Sequence, residues 1–427
     1  MKRRKQYESY RGASSPWVPS VPTHWTVSRF GLEAAINGGQ VDPREEPWRS
    51  TVLIAPNHIE RDTGRLTGRE TAGNQGADSG KYTVEAGQII YSKIRPALNK
   101  AAIAIEACLC SADMYAISFR SRVHSRYAHY QVLSRPFLQF AVVASERVKM
   151  PKVNREELAG APWLLPPFTE QRAIADYLDH ETAQIDALIM KQEQLIETLR
   201  ERRVAVMEQA VIEVAWTTPL RRVARLIQTG PFGSQLKSDE YVEGGVPVIN
   251  PSHMVGGTVV SDSGVAVSNE KAVELSRHEL RDGDLVAARR GELGRCAVVR
   301  GSTIGALCGT GSVLIRPNEA KIDAEFLALV FQSQANRDAL SLASVGSTMD
   351  NLNASIIDGL KLPLPPVIEQ RALLLRLDEK TAKISALIGK AERLIDVSKE
   401  RRAALITAAV TGQIDVRIAT SNVGEGV

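Results

Sequence analysis

One segment of this chain occurs twice, and nothing else in its 427 residues constrains the architecture as strongly. Leu165-Pro166-Pro167-Phe168-Thr169-Glu170-Gln171-Arg172-Ala173 returns as Leu364-Pro365-Pro366-Val367-Ile368-Glu369-Gln370-Arg371-Ala372, displaced by 199 residues. The match continues without a gap from Leu165–Val211 to Leu364–Val410, with about half of the positions identical. A period this long is no solenoid unit. It is a whole domain plus a helix, made twice.

The repeated segment reads as a long helix. Its double proline ends the preceding strand or loop, because proline is tolerated only in a helix's first turn. Thr169 is predicted as the N-cap, with Glu170 near the positive end of the helix dipole. Heptad spacing assigns Ile174, Leu178, Ile185, Leu188, Leu195 and Leu199 to the pairing face of the first copy. It assigns Leu373, Leu377, Ile384, Leu387, Leu394 and Leu405 to that of the second. A helix of ~44 residues would be ~65 Å long at 1.5 Å per residue. Alone, its apolar stripe would face water, so it needs a partner helix. The width of the stripe, extended by Ile189, Ile196, Ile388 and Ile395, calls for a further helix from elsewhere.

The organisation predicted is a basic, disordered N-terminal tail (1–21), a mixed α/β domain (22–165), a long helix (166–214), a second mixed α/β domain (218–364), a second long helix (365–412) and a C-terminal tail (413–427). The fold class is α+β. Short β-like runs such as Gln88-Ile89-Ile90-Tyr91 and Ser312-Val313-Leu314-Ile315 lie between turn residues, and one helical stretch precedes the end of each domain, near Tyr127–Val143 and Glu325–Leu342. The two α/β domains are more faintly related. Gly87-Gln88-Ile89-Ile90 aligns with Gly283-Asp284-Leu285-Val286, and Met150-Pro151-Lys152-Val153-Asn154 with Met349-Asp350-Asn351-Leu352-Asn353. Matching folds with diverged surfaces are expected.

The search for catalytic motifs returns none: no Walker loop, no His-Glu-x-x-His, no Gly-x-Ser-x-Gly. Leu165-Pro166-Pro167-Phe168 approaches the Asp/Asn-Pro-Pro-Tyr/Phe signature of amino-methyltransferases, whose Asp or Asn accepts from the exocyclic amine of a flipped base. Leucine cannot accept, and no glycine-rich loop for S-adenosylmethionine accompanies it. A stand-alone DNA adenine methyltransferase is therefore the weaker alternative. A coiled-coil assembly protein without DNA binding is a third reading. Four cysteines, at 108, 110, 296 and 308, fit a reducing cytoplasm, and Cys108-x-Cys110 is too close-spaced for a zinc knuckle, so no metal is expected. The net charge of +4 permits nucleic-acid binding without arguing for it. No apolar run approaches the ~20 residues of a membrane span.

What remains is a set of basic and amide residues in the loops of both α/β domains. In the first these are Lys93, Arg95, Asn99, Lys100, Lys149, Lys152 and Asn154. In the second they are Ser234, Gln235, Lys237, Asn250, Arg289, Arg290, Arg295, Asn351 and Asn353. Arg and Lys suit phosphates and guanine edges; Asn and Gln suit adenine edges.

The duplicated Leu-Pro-Pro-x-x-Glu-Gln-Arg start of a long helix, each time after an α/β domain, resembles the specificity subunit of Type I restriction-modification enzymes. Gly230-Pro231-Phe232-Gly233-Ser234-Gln235-Leu236-Lys237, Ile90-Tyr91-Ser92-Lys93-Ile94-Arg95-Pro96 and Gly346-Ser347-Thr348-Met349-Asp350-Asn351-Leu352-Asn353 are similar to segments of that family's recognition domains. The resemblance covers residues of about 22–415. It implies two target-recognition domains that each read one half of a split, asymmetric site in double-stranded DNA. It also implies that the two helices pair as an antiparallel coiled coil with pseudo-two-fold symmetry and bind two methylation subunits. This chain would then be non-catalytic and hold no cofactor. S-adenosylmethionine would sit on the methylation subunits, and ATP and Mg on the restriction subunits that complete the nuclease.

Overall fold

The structure, a computed structural model, describes residues 6–36, 38–145, 151–212, 215–233, 235–344 and 352–418. The chain divides into two compact units, residues 1–193 with 392–427, and residues 194–391. The boundary cuts both long helices, Phe168–Ile212 and Val367–Val410, so each unit contains part of each helix.

In the first unit, a four-stranded antiparallel sheet runs in the order Ala101–Ile103, Ile89–Ser92, Met114–Phe119, Ala34–Ile36. A second, five-stranded sheet contains Val52–Ile54 parallel to Cys108–Cys110. Its residues Ile54, Val84 and Cys110 pack with Ile90 and Ala116 of the first sheet. On the other side, Phe30, Phe137 and Trp163 join Ile89, Tyr91 and Ile117 in a core that buries the large rings. Strand Thr26–Arg29 pairs with Pro162–Leu165, and the latter leads directly to the long helix.

The second unit repeats this plan. Its four-stranded sheet runs Cys296–Val298, Leu285–Ala288, Ser312–Pro317, Ala224–Thr229, and Val246–Ile249 lies parallel to Leu307–Cys308. Trp216–Pro219 pairs with Lys361–Pro363 ahead of the second long helix. Each helical stretch foreseen in the α/β domains is two helices, Ser125–Leu133 with Arg135–Ser145, and Ala324–Phe331 with Gln334–Ser344. A serine breaks each: Ser134 Oγ donates to Gln131 O at 2.6 Å and Ser333 Oγ to Val330 O at 2.7 Å, taking acceptors that a continuous helix would use.

The long helices share apolar cores within each unit. In the first, Ile174, Leu178 and Ile185 pack with Leu405, Ile406, Ala409 and Val410, and Arg402 Nε donates to Asp186 Oδ1 at 2.9 Å. In the second, Val206, Met207, Ala210 and Val211 share a core with Leu373, Leu374 and Leu377. Opening turns against closing turns, in both units, is the contact pattern of antiparallel neighbours.

The heptad assignment needs correction. Leu188, Leu195, Leu387 and Leu394 are 38–49% exposed. Ile174, Leu178, Ile185, Leu199, Leu377, Ile384 and Leu405 are buried as assigned, and burial also recurs every eleven residues, at Ile174, Ile185 and Ile196, and at Ile384, Ile395 and Ile406. Eleven residues make three turns at about 3.67 per turn, closer to an unstrained helix than the 3.5 of a heptad seam, so a strict seven-residue count drifts off the buried face by ~20° per heptad. Two further corrections concern helix and chain ends. The first long helix begins at Phe168, and the Pro167 carbonyl accepts from Gln171 N–H at 2.9 Å, so Thr169 lies inside the first turn rather than capping it. Nor is 1–21 a disordered tail where it is described: Tyr10–Ser15 and Val18–Pro22 form a hairpin, and Tyr7, Val18 and Val21 pack in one core with Trp25, Leu405 and Val416. Aromatic and β-branched residues outweigh the basic start that dominated the reading of composition. Ile414 and Val416, placed in the C-terminal tail, are buried as well.

Candidate nucleic-acid interface

Lys93 follows the central strand Ile89–Ser92, and Arg289 follows its counterpart Leu285–Ala288. The two occupy equivalent places. Lys93 N–H donates to Asp113 O at 3.1 Å, and its carbonyl accepts from Val153 N–H at 3.0 Å. Arg289 N–H donates to Gly311 O at 3.1 Å, and its carbonyl accepts from Leu352 N–H at 2.8 Å. Both side chains are nearly covered, at 9% and 5% exposure. Each places its cation over an aromatic ring, Lys93 Nζ 5.4 Å from the Tyr115 centroid and the Arg289 guanidinium 4.8 Å from that of Phe232.

Other cations gather at the first of these places. Ile94 bridges to Lys152, Arg95 N–H donates to Pro151 O at 2.8 Å, and the Arg155 guanidinium lies 5.7 Å from the Tyr115 ring. Burial, reinforced by Lys152, pulls the pKa of Lys93 down, and burial with the neighbouring Arg290 does the same to Arg289. Sequence reasoning missed Arg155. A signal was present, since an arginine at the first helical position opposes the helix dipole and seldom sits there for the helix's sake.

Several candidates make bonds that serve the fold. Asn154 and Asn353 are helix N-caps, their Oδ1 atoms accepting from Glu157 N–H at 2.8 Å and Ile356 N–H at 2.9 Å. Asn99 is buried, donating to Leu133 O at 3.0 Å and Asp62 Oδ1 at 3.2 Å. Lys100 Nζ donates to Pro56 O at 2.6 Å. In the second unit Gln235 Oε1 accepts from Phe232 N–H at 3.2 Å, ordering the turn that carries the ring under Arg289. Asn250 N–H faces His253 Nδ1 at 3.2 Å, and Arg295 bonds Glu292 and the Pro251 carbonyl. Lys237 and Arg290 are exposed. Lys149, Ser234 and Asn351 lie outside the described residues.

Each α/β domain is fastened to its long helix by one glutamine. Gln171 Oε1 accepts from His124 N–H at 2.8 Å, while Nε2 donates to Arg122 O at 3.0 Å and Pro166 O at 2.9 Å. Gln370 repeats the set with Asp323 N–H at 2.8 Å, Lys321 O at 3.1 Å and Pro365 O at 2.8 Å. The preceding glutamates differ. Glu170 is buried against Tyr7 Oη, His24 Nε2 and Trp25 Nε1, whereas Glu369 is exposed. All four cysteines are buried and free; burial raises the Cys108 thiol to about 11 and those of Cys110 and Cys296 to about 12. Among the described residues no His, Cys, Asp and Glu group could hold a metal ion, and no helix is long and apolar enough to cross a membrane.

Residues 229–393 match the family model of the Type I restriction modification DNA specificity domain. The specificity subunit of the Type I restriction enzyme EcoDI from Escherichia coli is 37% identical over 171 residues, 40% of this chain and 38% of that protein. The EcoKI specificity subunit of Escherichia coli K12 is 29% identical over 112 residues, 26% of this chain and 23% of its own length. The matched stretches thus span well under half of these relatives. Among solved structures, a chain described in work on complex assembly and conformational transition of the type I R-M system aligns with a TM-score of 0.69 at 17% identity, covering 92% of this chain and 99% of that one. The HsdS subunit from Thermoanaerobacter tengcongensis aligns with a TM-score of 0.53 at 17% identity, covering 92% and 98%. A duplicated α/β module, each copy clamped to a long helix, is the fold this chain shares with those structures. Residues 229–393 thus carry the Type I restriction modification DNA specificity domain, and the chain as a whole is similar to specificity subunits of Type I restriction-modification systems.

Proposed function

We propose that this chain reads a bipartite, asymmetric site in double-stranded DNA, one half with each α/β domain, and scaffolds the subunits that act on it. The observation that carries this reading is the duplication itself: two modules of one fold bring a cation to the same strand end, while the residues around it differ. Like folds with unlike surfaces suit two unlike half-sites. The chain is non-catalytic. Two methylation subunits bind along the paired long helices, where Leu188, Leu195, Leu387 and Leu394 stay exposed, and they bring S-adenosylmethionine and the adenine-N6 chemistry. Restriction subunits, with ATP and Mg, join through them. The long helices act together as a coiled-coil spacer between the two readers. The test is methyl transfer by the purified chain alone and by the chain with its methylation subunits. Transfer only in the presence of the partners, at adenines of one split motif, is the expected result; transfer by the chain alone would overturn it in favour of a stand-alone methyltransferase.

A further inference from the structure

We infer that Lys93 and Arg289 are equivalent phosphate anchors, one in each α/β domain, that bind the DNA backbone without reading its sequence. The inference rests on the DNA-reading function proposed above and assigns one part of it to two residues. Three observations carry it.

The first is equivalence. Both residues leave equivalent strands of equivalent sheets and are held by equivalent pairs of backbone bonds, on one side to the neighbouring chain segment (Asp113 or Gly311) and on the other to the segment before the short capped helix (Val153 or Leu352). Main-chain bonds on both sides fix where each side chain starts, which favours a preorganised contact.

The second is what differs around them. The aromatic ring under Lys93 comes from the adjacent strand, and the ring under Arg289 from the loop after Ala224–Thr229. The position has kept its positive charge while its supports have changed. A base contact would vary with the half-site, whereas the phosphate is the element common to every half-site. A charge kept in two modules that read different sequences matches the common element.

The third is electrostatic. Lys93 is 9% exposed and, among the described residues, forms no salt bridge; Lys152 and Arg155 add like charge beside it, which Asp113 offsets only in part, so its pKa is pulled down. Covering a cation that forms no salt bridge is unfavourable in the free chain. An approaching phosphate relieves it, and Lys and Arg both accept that role.

The experiment uses the chain in complex with its methylation subunits and follows affinity for a duplex carrying the motif, and for a random duplex, across a salt series. Lys93→Gln and Arg289→Gln are each expected to weaken both duplexes by a similar factor, about tenfold. Each should also lower the slope of log K against log salt by about 0.9, the loss of one phosphate contact. The methylated motif should be unchanged in both halves, and Lys93→Arg and Arg289→Lys should restore the slope. An unaltered slope in both Gln variants, or a changed half-site, would overturn the anchor assignment. If either Gln variant does not assemble, the charge-retaining variants decide: a wild-type slope with an unchanged motif supports the anchor, and a shifted half-site refutes it. A wild-type complex with no preference for a split motif would instead sink the underlying DNA-reading function.

Discussion

The side-chain carbonyl of Gln171 accepts the backbone N–H of His124 at 2.8 Å, across 47 residues of chain. That bond ties the first turn of a long helix to the start of the helix Ser125–Leu133, and Gln370 makes the same bond to Asp323. Each glutamine is also the donor to two further backbone carbonyls, so one buried side chain satisfies three main-chain groups at a domain–helix junction.

Removing that side chain should be costly. Gln171→Ala strands three polar groups near the helix start, and at ~1 kcal/mol for each lost bond the first unit should lose about 3 kcal/mol. Gln171→Glu should fare little better, because a carboxylate cannot donate to the Arg122 and Pro166 carbonyls. Urea denaturation of both variants and of Gln370→Ala checks this; equal loss at the two glutamines is expected, since their bonds are equivalent.

Acid should weaken the first α/β domain through Glu33. Its side chain is fully buried, accepts from Arg122 Nε at 2.8 Å and from Ser28 Oγ at 2.6 Å, and is held by Arg122 below the ordinary glutamate value of 4.5. A carboxylate with a depressed folded-state pKa adds stability above its unfolded pKa and loses it as pH falls through the folded value. The stability difference between wild type and Glu33→Gln should therefore be full at pH 7 and shrink progressively below about pH 4.5. A difference constant from pH 7 to pH 3 would mean that the ion pair adds nothing.

The two faces of the long helices should respond oppositely to charge. Ile185→Asp puts a carboxylate where only 6% of the side chain is exposed, a change on the order of 4 kcal/mol or more. Leu195→Asp, at 43% exposure, should alter the isolated chain's stability by about 0.5–1 kcal/mol yet, on the function proposed above, weaken capture of methylation subunits. Thermal melts and pull-down with the methylation subunits separate the two effects.

Inserting four residues between Glu193 and Arg200 tests whether the helices measure distance. The insertion adds ~6 Å and ~40° of rotation beyond a full turn. The half-sites should stay the same while the unspecified spacer between them grows by one or two base pairs, as read from methylated-adenine mapping. An unchanged spacer with full activity would mean that the helices only connect the domains.

The repeat and the double proline made the long helices legible, because a gap-free duplication and a proline boundary are local signals. The buried face was only half legible: Ile174 and Ile185 satisfy both a heptad and an eleven-residue count, and the heptad count fails at Leu188, Leu195, Leu387 and Leu394. The hairpin at Tyr10–Pro22 escaped notice because its burial depends on Leu405 and Val416, almost 400 residues away in sequence. At the candidate interface, residue type alone could not separate Asn154, which caps a helix, from Lys93, which is placed over a ring. Helix caps and loop cations draw on the same polar residue types, and only their bonds tell them apart.

Exchanging residues 22–165 for the corresponding domain of a similar specificity subunit, and mapping methylated adenines in cells carrying the swapped chain with the methylation subunits proposed for it, probes two-module reading most directly. One half of the methylated motif should change and the other should remain that of the original chain. A motif altered in both halves, or in neither, would mean that the two domains do not each read half a site.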